Sequence, residues 1–354
     1  MNNYRLRELK IELNRDCPLE CLHCSSNGYP GAKECLNSER VSEIIRDFVF
    51  MGGEKVCISG GEPLCYQELP SIVDACEGID VSIYTTGIVR NGGLKPLTEK
   101  AAELFANKGV KVIFSVHGSK PETHDAITQH RGSFNITVKA IEKAVNVGLL
   151  TEIHVVPMEI NFPELYQIAK LASSLKVGKI SWLRFVPQGR GLTNRNLLQL
   201  NRDKFLDLAR IKEDILNRCH NLQLRMGSPF NVLCGDSITP CEAGLSILTI
   251  CPDGTIKPCD AFKQFAVNDP LGNVLYHKLS EVWHGSSFLD AVRKIHEDRM
   301  ESTCSSCPLY PRCNSGCLAQ KVIVAGIIKD GRDPDCPLVR VEGIRDEVKA
   351  VSVF

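Results

Sequence analysis

The chain has no excess of charge of either sign, no apolar run long enough to span a bilayer, and no internal repeat or low-complexity segment. Lysine plus arginine and aspartate plus glutamate are equal at 42 each in 354 residues. No like-charge block stands out, which removes the electrostatic case for a nucleic-acid or membrane partner. The start, Met1-Asn2-Asn3-Tyr4-Arg5, lacks the apolar core of a secretory signal. A cytoplasmic site of action is the expectation. Hydrophobic residues make up 43% of the chain, which fills a sizeable core at this length.

Cysteine, by contrast, is abundant. Seventeen cysteines in a chain expected in a reducing compartment are not a disulfide framework, and many fall at metal-type spacings. The tightest set is Cys17-Pro18-Leu19-Glu20-Cys21-Leu22-His23-Cys24, a C-x3-C-x2-C pattern. Three thiolates so spaced can hold three corners of a cubane iron–sulfur cluster and leave the fourth iron without a protein ligand, open to a second molecule. A zinc knuckle, completed by His23, or a loop of free thiols is the competing reading. The position directly after an alternating strand pattern, Leu9, Ile11, Leu13, favours the cluster.

From Leu9 to about Gly189, short β-rich runs alternate with amphipathic helices. The strands are expected at Leu9–Leu13, Lys55–Ser59, Val81–Thr85, Val110–Val116, Thr151–Pro157 and Ile180–Val186. Helical spacing appears in Val41, Ile44, Ile45, Phe48, Val49, opened by Ser38 and stopped by Gly52-Gly53, and again in Phe134, Val138, Ile141, Val145 and in Leu165, Ile168, Leu171, Leu175. Six βα units in series predict an α/β fold with a parallel sheet and function at the strand C-terminal ends. A connector helix is expected from about Asp203 to Arg218. Beyond Leu233 the chain turns to cysteine, glycine and proline, which places a boundary near residue 230, with cluster ligation standing in for a core beyond it.

Ser59-Gly60-Gly61-Glu62-Pro63 follows the second strand. Two glycines allow backbone to approach a ligand without Cβ interference, and such a loop can offer carbonyls to an ammonium group. With this loop placed after the cysteine motif, the chain resembles the radical S-adenosylmethionine (radical SAM) enzymes. The resemblance implies a partial (βα)6 barrel. It implies that the open iron takes the amino and carboxylate groups of the methionine moiety, that Gly60, Gly61, Glu62 and Pro63 lie along the methionine amine, and that His23 lies near the adenine. Reductive cleavage of the sulfonium to a 5′-deoxyadenosyl radical is the implied chemistry, with the protein supplying orientation and exclusion of water. Ser115, near the end of the fourth strand, matches the family's ribose-contacting polar position, and Arg131, in His130-Arg131-Gly132-Ser133-Phe134, matches an often-seen basic position. A buried strand serine and a solvated loop arginine are the plain alternatives. Arg184, on the sixth strand, is a further basic candidate.

Cys241, Gly254 and Cys259, followed by Cys304, Cys307, Cys313, Cys317 and Cys336, resemble the SPASM extension of radical SAM peptide-modifying enzymes. That resemblance implies three [4Fe-4S] clusters in all. Of the two auxiliary ones, the first would use Cys241, Cys259 and Cys317 with Cys234 as fourth ligand, and the second Cys304, Cys307, Cys313 and Cys336. Paired zinc ribbons are the alternative, since four-thiolate spacing alone does not exclude zinc. The layout reads as a radical SAM core over 1–230, an auxiliary-cluster domain over 231–340 and a tail over 341–354.

Of the remaining cysteines, Cys35, Cys57, Cys65, Cys76 and Cys219 read as small hydrophobes, and Cys251 is a candidate substitute ligand. Asp260, directly after Cys259, matches the acid that sulfatase-maturating enzymes carry there as general base. His117, His124 and His154 read as structural or solvated.

The implied activity is oxidative modification of a peptide or protein, giving an oxidised residue, a thioether or carbon–carbon cross-link, or an excised fragment. Small-molecule dehydrogenation of the aminoglycoside or tetrapyrrole type is the second reading, and a non-catalytic iron–sulfur or zinc scaffold the third. The resemblance also implies a flavodoxin- or ferredoxin-type electron donor. Because 16 residues precede Cys17, a fused leader-binding domain is not expected, and a separate recognition protein would present a precursor peptide.

Overall fold

The computed structural model describes residues 4–227, 241–266, 268–298, 304–321 and 333–336. Eleven strands are present among them: β1 Glu8–Glu12, β2 Lys55–Ser59, β3 Asp80–Thr85, β4 Ile88–Arg90, β5 Leu94–Pro96, β6 Lys111–Ser115, β7 Leu150–Val155, β8 Lys179–Trp182, β9 Gln223–Met226, β10 Ile247–Ile250 and β11 Ile256–Lys257. Nine of them form one sheet in the order β11-β10-β1-β2-β3-β6-β7-β8-β9, and β4 and β5 form a separate hairpin. Every pairing from β10 through β9 is parallel.

The six expected strands are thus β1, β2, β3, β6, β7 and β8. Helices α1 Ser38–Phe50, α2 Leu69–Ala75, α3 Glu99–Asn107, α4 Pro121–Thr128, α5 Ser133–Asn146 and α6 Leu165–Ser174 fall between them. Asn37, rather than Ser38, caps α1 by accepting from Arg40 N–H. Leu9, Ile11 and Leu13 enter the main core with Val41, Ile44, Ile45 and Phe48 of α1. Strand alternation then turns Lys10 and Glu12 to the opposite face, inside the barrel.

Two features depart from the sequence reading. The sheet does not end at six strands. The connector helix Arg202–Arg218 delivers β9 alongside β8, and β10, from the cysteine-rich region, pairs with β1 through Leu9↔Leu248 and Ile11↔Ile250. Nor does ligation replace a core beyond residue 230. Leu248, Ile250, Val274, Leu279, Val282, Trp283 and Leu289 belong to the barrel's main core, and Phe262, Phe288, Val292 and Ile295 build a second, smaller one. Apolar residues in short, separated elements produce no sustained period, so this packing was invisible to periodicity. The boundary near residue 230, Cys234 and the 341–354 tail lie outside the described residues. Among the described residues no helix is long and apolar enough to cross a membrane.

Candidate functional site

The loops leaving the C-terminal ends of β1 and β2 lie against each other. Gly61 N–H donates to Asn14 O at 2.6 Å and Glu62 N–H to Asp16 O at 2.8 Å. A Cβ on Gly61 would stand 2.3 Å from Asp16 O, and one on Gly60, at φ +147°, would stand 2.7 Å from Asn14 O. The glycines are therefore required by the approach of one loop to the other, before any ligand is considered. Gly28 repeats the constraint, since its Cβ would meet Gly61 Cα at 3.0 Å and Cys17 Cβ at 3.2 Å.

Glu62 is fully buried. Its carboxylate accepts from Thr85 Oγ1 and Thr86 Oγ1, each at 2.5 Å, from Thr86 N–H at 2.7 Å and from Leu64 N–H at 3.0 Å. Burial pushes its pKa up against these bonds, which pull it down. The side chain ties the end of β2 to the end of β3, so what the loop presents outward is its backbone. Pro63 opens the short turn that follows.

Cys17 is buried, and Cys21 and Cys24 are partly so. Burial and the nearby thiols push Cys17 and Cys21 well above the ordinary thiol range, a donor set that favours a cation which can take the protons' place. Arg190 holds this loop from the other side of the barrel. Its Nε donates to Cys21 O at 2.9 Å and its Nη2 to Gly28 O at 2.7 Å, while its backbone N–H donates to Cys24 O at 3.0 Å. Asn194 Nδ2 adds a bond to Leu22 O at 3.1 Å, and a Cβ on Gly189 would strike Cys24 O at 2.6 Å. The sequence reading missed this clamp. Its signal was the Gly189-Arg190-Gly191 run just beyond the sixth strand.

His23 packs edge-on against His117, with ring centroids 4.2 Å apart, and His117 stacks on His124 at 6.1 Å. His23 Nδ1, His117 Nδ1 and His124 Nε2 are buried without a hydrogen-bond partner. Burial pushes His23 and His124 down to about 4 and His117 well below its ordinary value, so all three rings are neutral at pH 7. Ser115 stands half-buried on the inner face of β6, opposite His154. Arg131 is exposed on the turn between α4 and α5.

Asp260 lies across the barrel mouth. Lys10 Nζ donates to its Oδ2 at 2.6 Å, Thr249 Oγ1 to its Oδ1 at 3.3 Å, and Lys263 Nζ is 3.6 Å from Oδ1. Lys263 also pairs with the buried Glu12 at 2.8 Å and donates to Ser26 Oγ at 3.2 Å, two residues beyond Cys24. Burial would raise the Asp260 pKa, and the two ammonium groups outweigh it, holding the carboxyl well below the usual range. Its side chain remains 41% exposed.

Cys241, Cys259 and Cys317 pack against the same small core around Phe262 and Phe288. Burial, with Cys241 and Cys317 beside it, pushes Cys259 well above the ordinary thiol range, and burial, with Asp333 and Cys241 nearby, pushes Cys317 up to about 11. Burial, with Asp333, Cys336 and Cys304 nearby, pushes the Cys313 thiol up to about 11. Cys251 is buried at the end of β10. Among the described residues no three His, Cys, Asp or Glu side chains stand as close as the ligands of a single metal ion.

Residues 11–172 match the radical SAM superfamily model, and residues 241–308 match SPASM, an iron-sulfur cluster-binding domain. Mycofactocin maturase MftC of Mycolicibacterium smegmatis is 30% identical over 339 residues, which cover 93% of this chain and 82% of that protein. The chain belongs to the radical SAM superfamily. This radical SAM enzyme therefore carries S-adenosylmethionine-binding and iron–sulfur cluster-binding domains. The PqqA peptide cyclase of Streptomyces rochei is 28% identical, with 93% of this chain and 88% of that protein covered. In fold the enzyme resembles Streptococcus suis SuiB bound to S-adenosylmethionine, with a TM-score of 0.76 at 19% identity over 94% of this chain and 77% of that one. It also resembles anSMEcpe with bound AdoMet, with a TM-score of 0.70 at 16% identity over 91% and 92%.

Proposed function

We propose that this enzyme is a peptide maturase that oxidatively modifies a peptide or protein substrate. The observation that carries the reading is the Lys263 bridge. Through Glu12 and Ser26 it joins the carboxylate beside Cys259 to the loop of Cys17, Cys21 and Cys24. On this reading one site would combine an initiating centre with an acceptor and a base beside it. SuiB has been solved with its precursor peptide SuiA, and the relatives at 30% and 28% identity are a maturase and a peptide cyclase.

In this reading Cys17, Cys21 and Cys24 hold the first cluster. Cys241, Cys259, Cys317 and Cys234 hold the second, and Cys304, Cys307, Cys313 and Cys336 the third. When bound, cluster and S-adenosylmethionine supply a 5′-deoxyadenosyl radical that abstracts hydrogen from a substrate carbon. The Gly60–Pro63 backbone would receive the methionine amine, His23 would sit near the adenine, and Ser115 would meet the ribose. Arg131, exposed on its turn, would have to reach in from the rim. Asp260, held beside Cys259, would take the proton released when the substrate radical is oxidised, and a cluster held by Cys259 and its partners would supply the electron acceptor. An oxidised carbon centre is a strong acid, so a carboxylate of depressed pKa is base enough. A separate recognition protein presents the peptide, and a flavodoxin- or ferredoxin-type donor supplies electrons.

Anaerobic turnover with candidate peptides, followed by mass spectrometry, tests the reading. Dehydrogenation removes about 2 Da per pair of hydrogens, whereas excision removes a fragment. Modification of a sugar or tetrapyrrole, with every peptide unchanged, would overturn it.

A further inference from the structure

Arg184, just past the end of β8, places Nη1 2.6 Å from Asp333 Oδ2 and Nη2 2.7 Å from Asp333 Oδ1, a two-pronged pair, and Nη2 lies 2.7 Å from Asp335 Oδ2. The pair is buried, with side chains 6% and 2% exposed. Asp333 does more than neutralise the arginine. Its Oδ2 accepts the backbone N–H of Cys317 at 2.7 Å, and its own carbonyl accepts the backbone N–H of Cys336 at 2.9 Å. Gly316 leaves room for this, since a Cβ there would stand 2.4 Å from Asp333 Cβ. One residue therefore fixes the main chain of two cysteines assigned to different auxiliary clusters, and a barrel arginine fixes that residue.

We propose that Asp333, locked by Arg184, is the joint between the two auxiliary clusters, setting their spacing and, through its buried carboxylate, holding their reduction potentials down. The inference rests on the reading of these cysteines as cluster ligands. A negative charge close to a cluster disfavours adding an electron, and in a buried setting it is weakly screened. The guanidinium opposes that effect, so the net field depends on how closely the fork engages. Asp335 shares the arginine through Oδ2 and accepts from Gln199 Nε2 through Oδ1.

The test is a potentiometric titration followed by electron paramagnetic resonance on the reconstituted full chain, with iron measured on each sample. Asp333→Asn keeps an acceptor for Cys317 N–H and loses the charge. It should retain parental iron and shift at least one auxiliary potential upward. Asp335→Asn should shift them less, and Arg184→Lys, which keeps a cation but loses the fork, should shift them downward. Parental potentials in Asp333→Asn at full iron, or an equal shift from Asp335→Asn, would overturn the joint. If Asp333→Asn sheds iron, Arg184→Lys decides: a downward shift at full iron supports the proposal, and parental potentials reject it. A parent that binds only about four irons instead of about twelve overturns the ligand reading itself.

Discussion

Lys10 and Asp260, 250 residues apart in sequence, meet at 2.6 Å inside the barrel mouth. The contact exists because β10 extends the barrel sheet beside β1, which brings the residue after Cys259 over the inner face of the first strand. A carboxylate expected beside an auxiliary cluster is thereby also a carboxylate of the barrel.

Replacing Asp260 with Asn should leave 5′-deoxyadenosine formation largely intact and lower product per deoxyadenosine by about tenfold or more. Lys10→Met removes the nearer ammonium, so the Asp260 pKa rises and the acid limb of product formation moves to higher pH. Product at the parental rate in Asp260→Asn, with full iron, puts the base elsewhere.

Arg190→Lys gives up the planar fork that reaches Cys21 O and Gly28 O. Charge-assisted bonds of this kind contribute about 1.5–3 kcal/mol each. The variant should lose deoxyadenosine formation and iron from the first site together, while the C-terminal iron stays. A variant with parental cleavage would reduce Arg190 to a surface contact.

Gly61→Ala drives a methyl group into Asp16 O, with backbone on both sides and nothing flexible to yield. A loss of about 3 kcal/mol in stability is expected, together with loss of S-adenosylmethionine binding measured by calorimetry. Normal binding and melting would mean that the two loops separate more easily than their hydrogen bonds imply.

Cys17, Cys21 and Cys24 replaced together by alanine should abolish deoxyadenosine formation and leave C-terminal iron in place. Deoxyadenosine at the parental rate would remove the first site's assignment.

Acid should unfold the chain partly through its histidines. His117 and His124 are held neutral by burial, His124 down to about 4 from an ordinary 6.5. Between those values the unfolded chain binds more protons than the folded one, so stability falls as pH is lowered. Each histidine contributes a slope of about 1.4 kcal/mol per pH unit. His124→Gln should flatten the fall in urea midpoint between about pH 6.5 and pH 4; an unchanged slope would mean that His124 is protonated in the folded state.

Local chemistry wrote much of this protein in its sequence. The spacing of Cys17, Cys21 and Cys24 and the run Gly60-Gly61-Glu62-Pro63 depend on residues within a few positions of one another. The six barrel strands follow from apolar alternation, a property of each segment alone. Asp260 could be singled out because Cys259 precedes it.

Tertiary structure decided the rest, since the partners come from distant segments and no period or motif links them. Arg190 beside Cys21, Lys263 between Glu12 and Asp260, Arg184 on Asp333, and the histidine stack of His23, His117 and His124 are all of this kind. The anchoring of Glu62 is of this kind too: its carboxylate is held by Thr85, Thr86 and Leu64, while its backbone belongs to the loop that the sequence reading set along the methionine amine. Sequence determines which groups can do the chemistry, because reactivity and spacing are local. Which of them are buried together, and which charge faces which, was settled only when β10 joined β1 and closed a cysteine-rich segment onto a barrel.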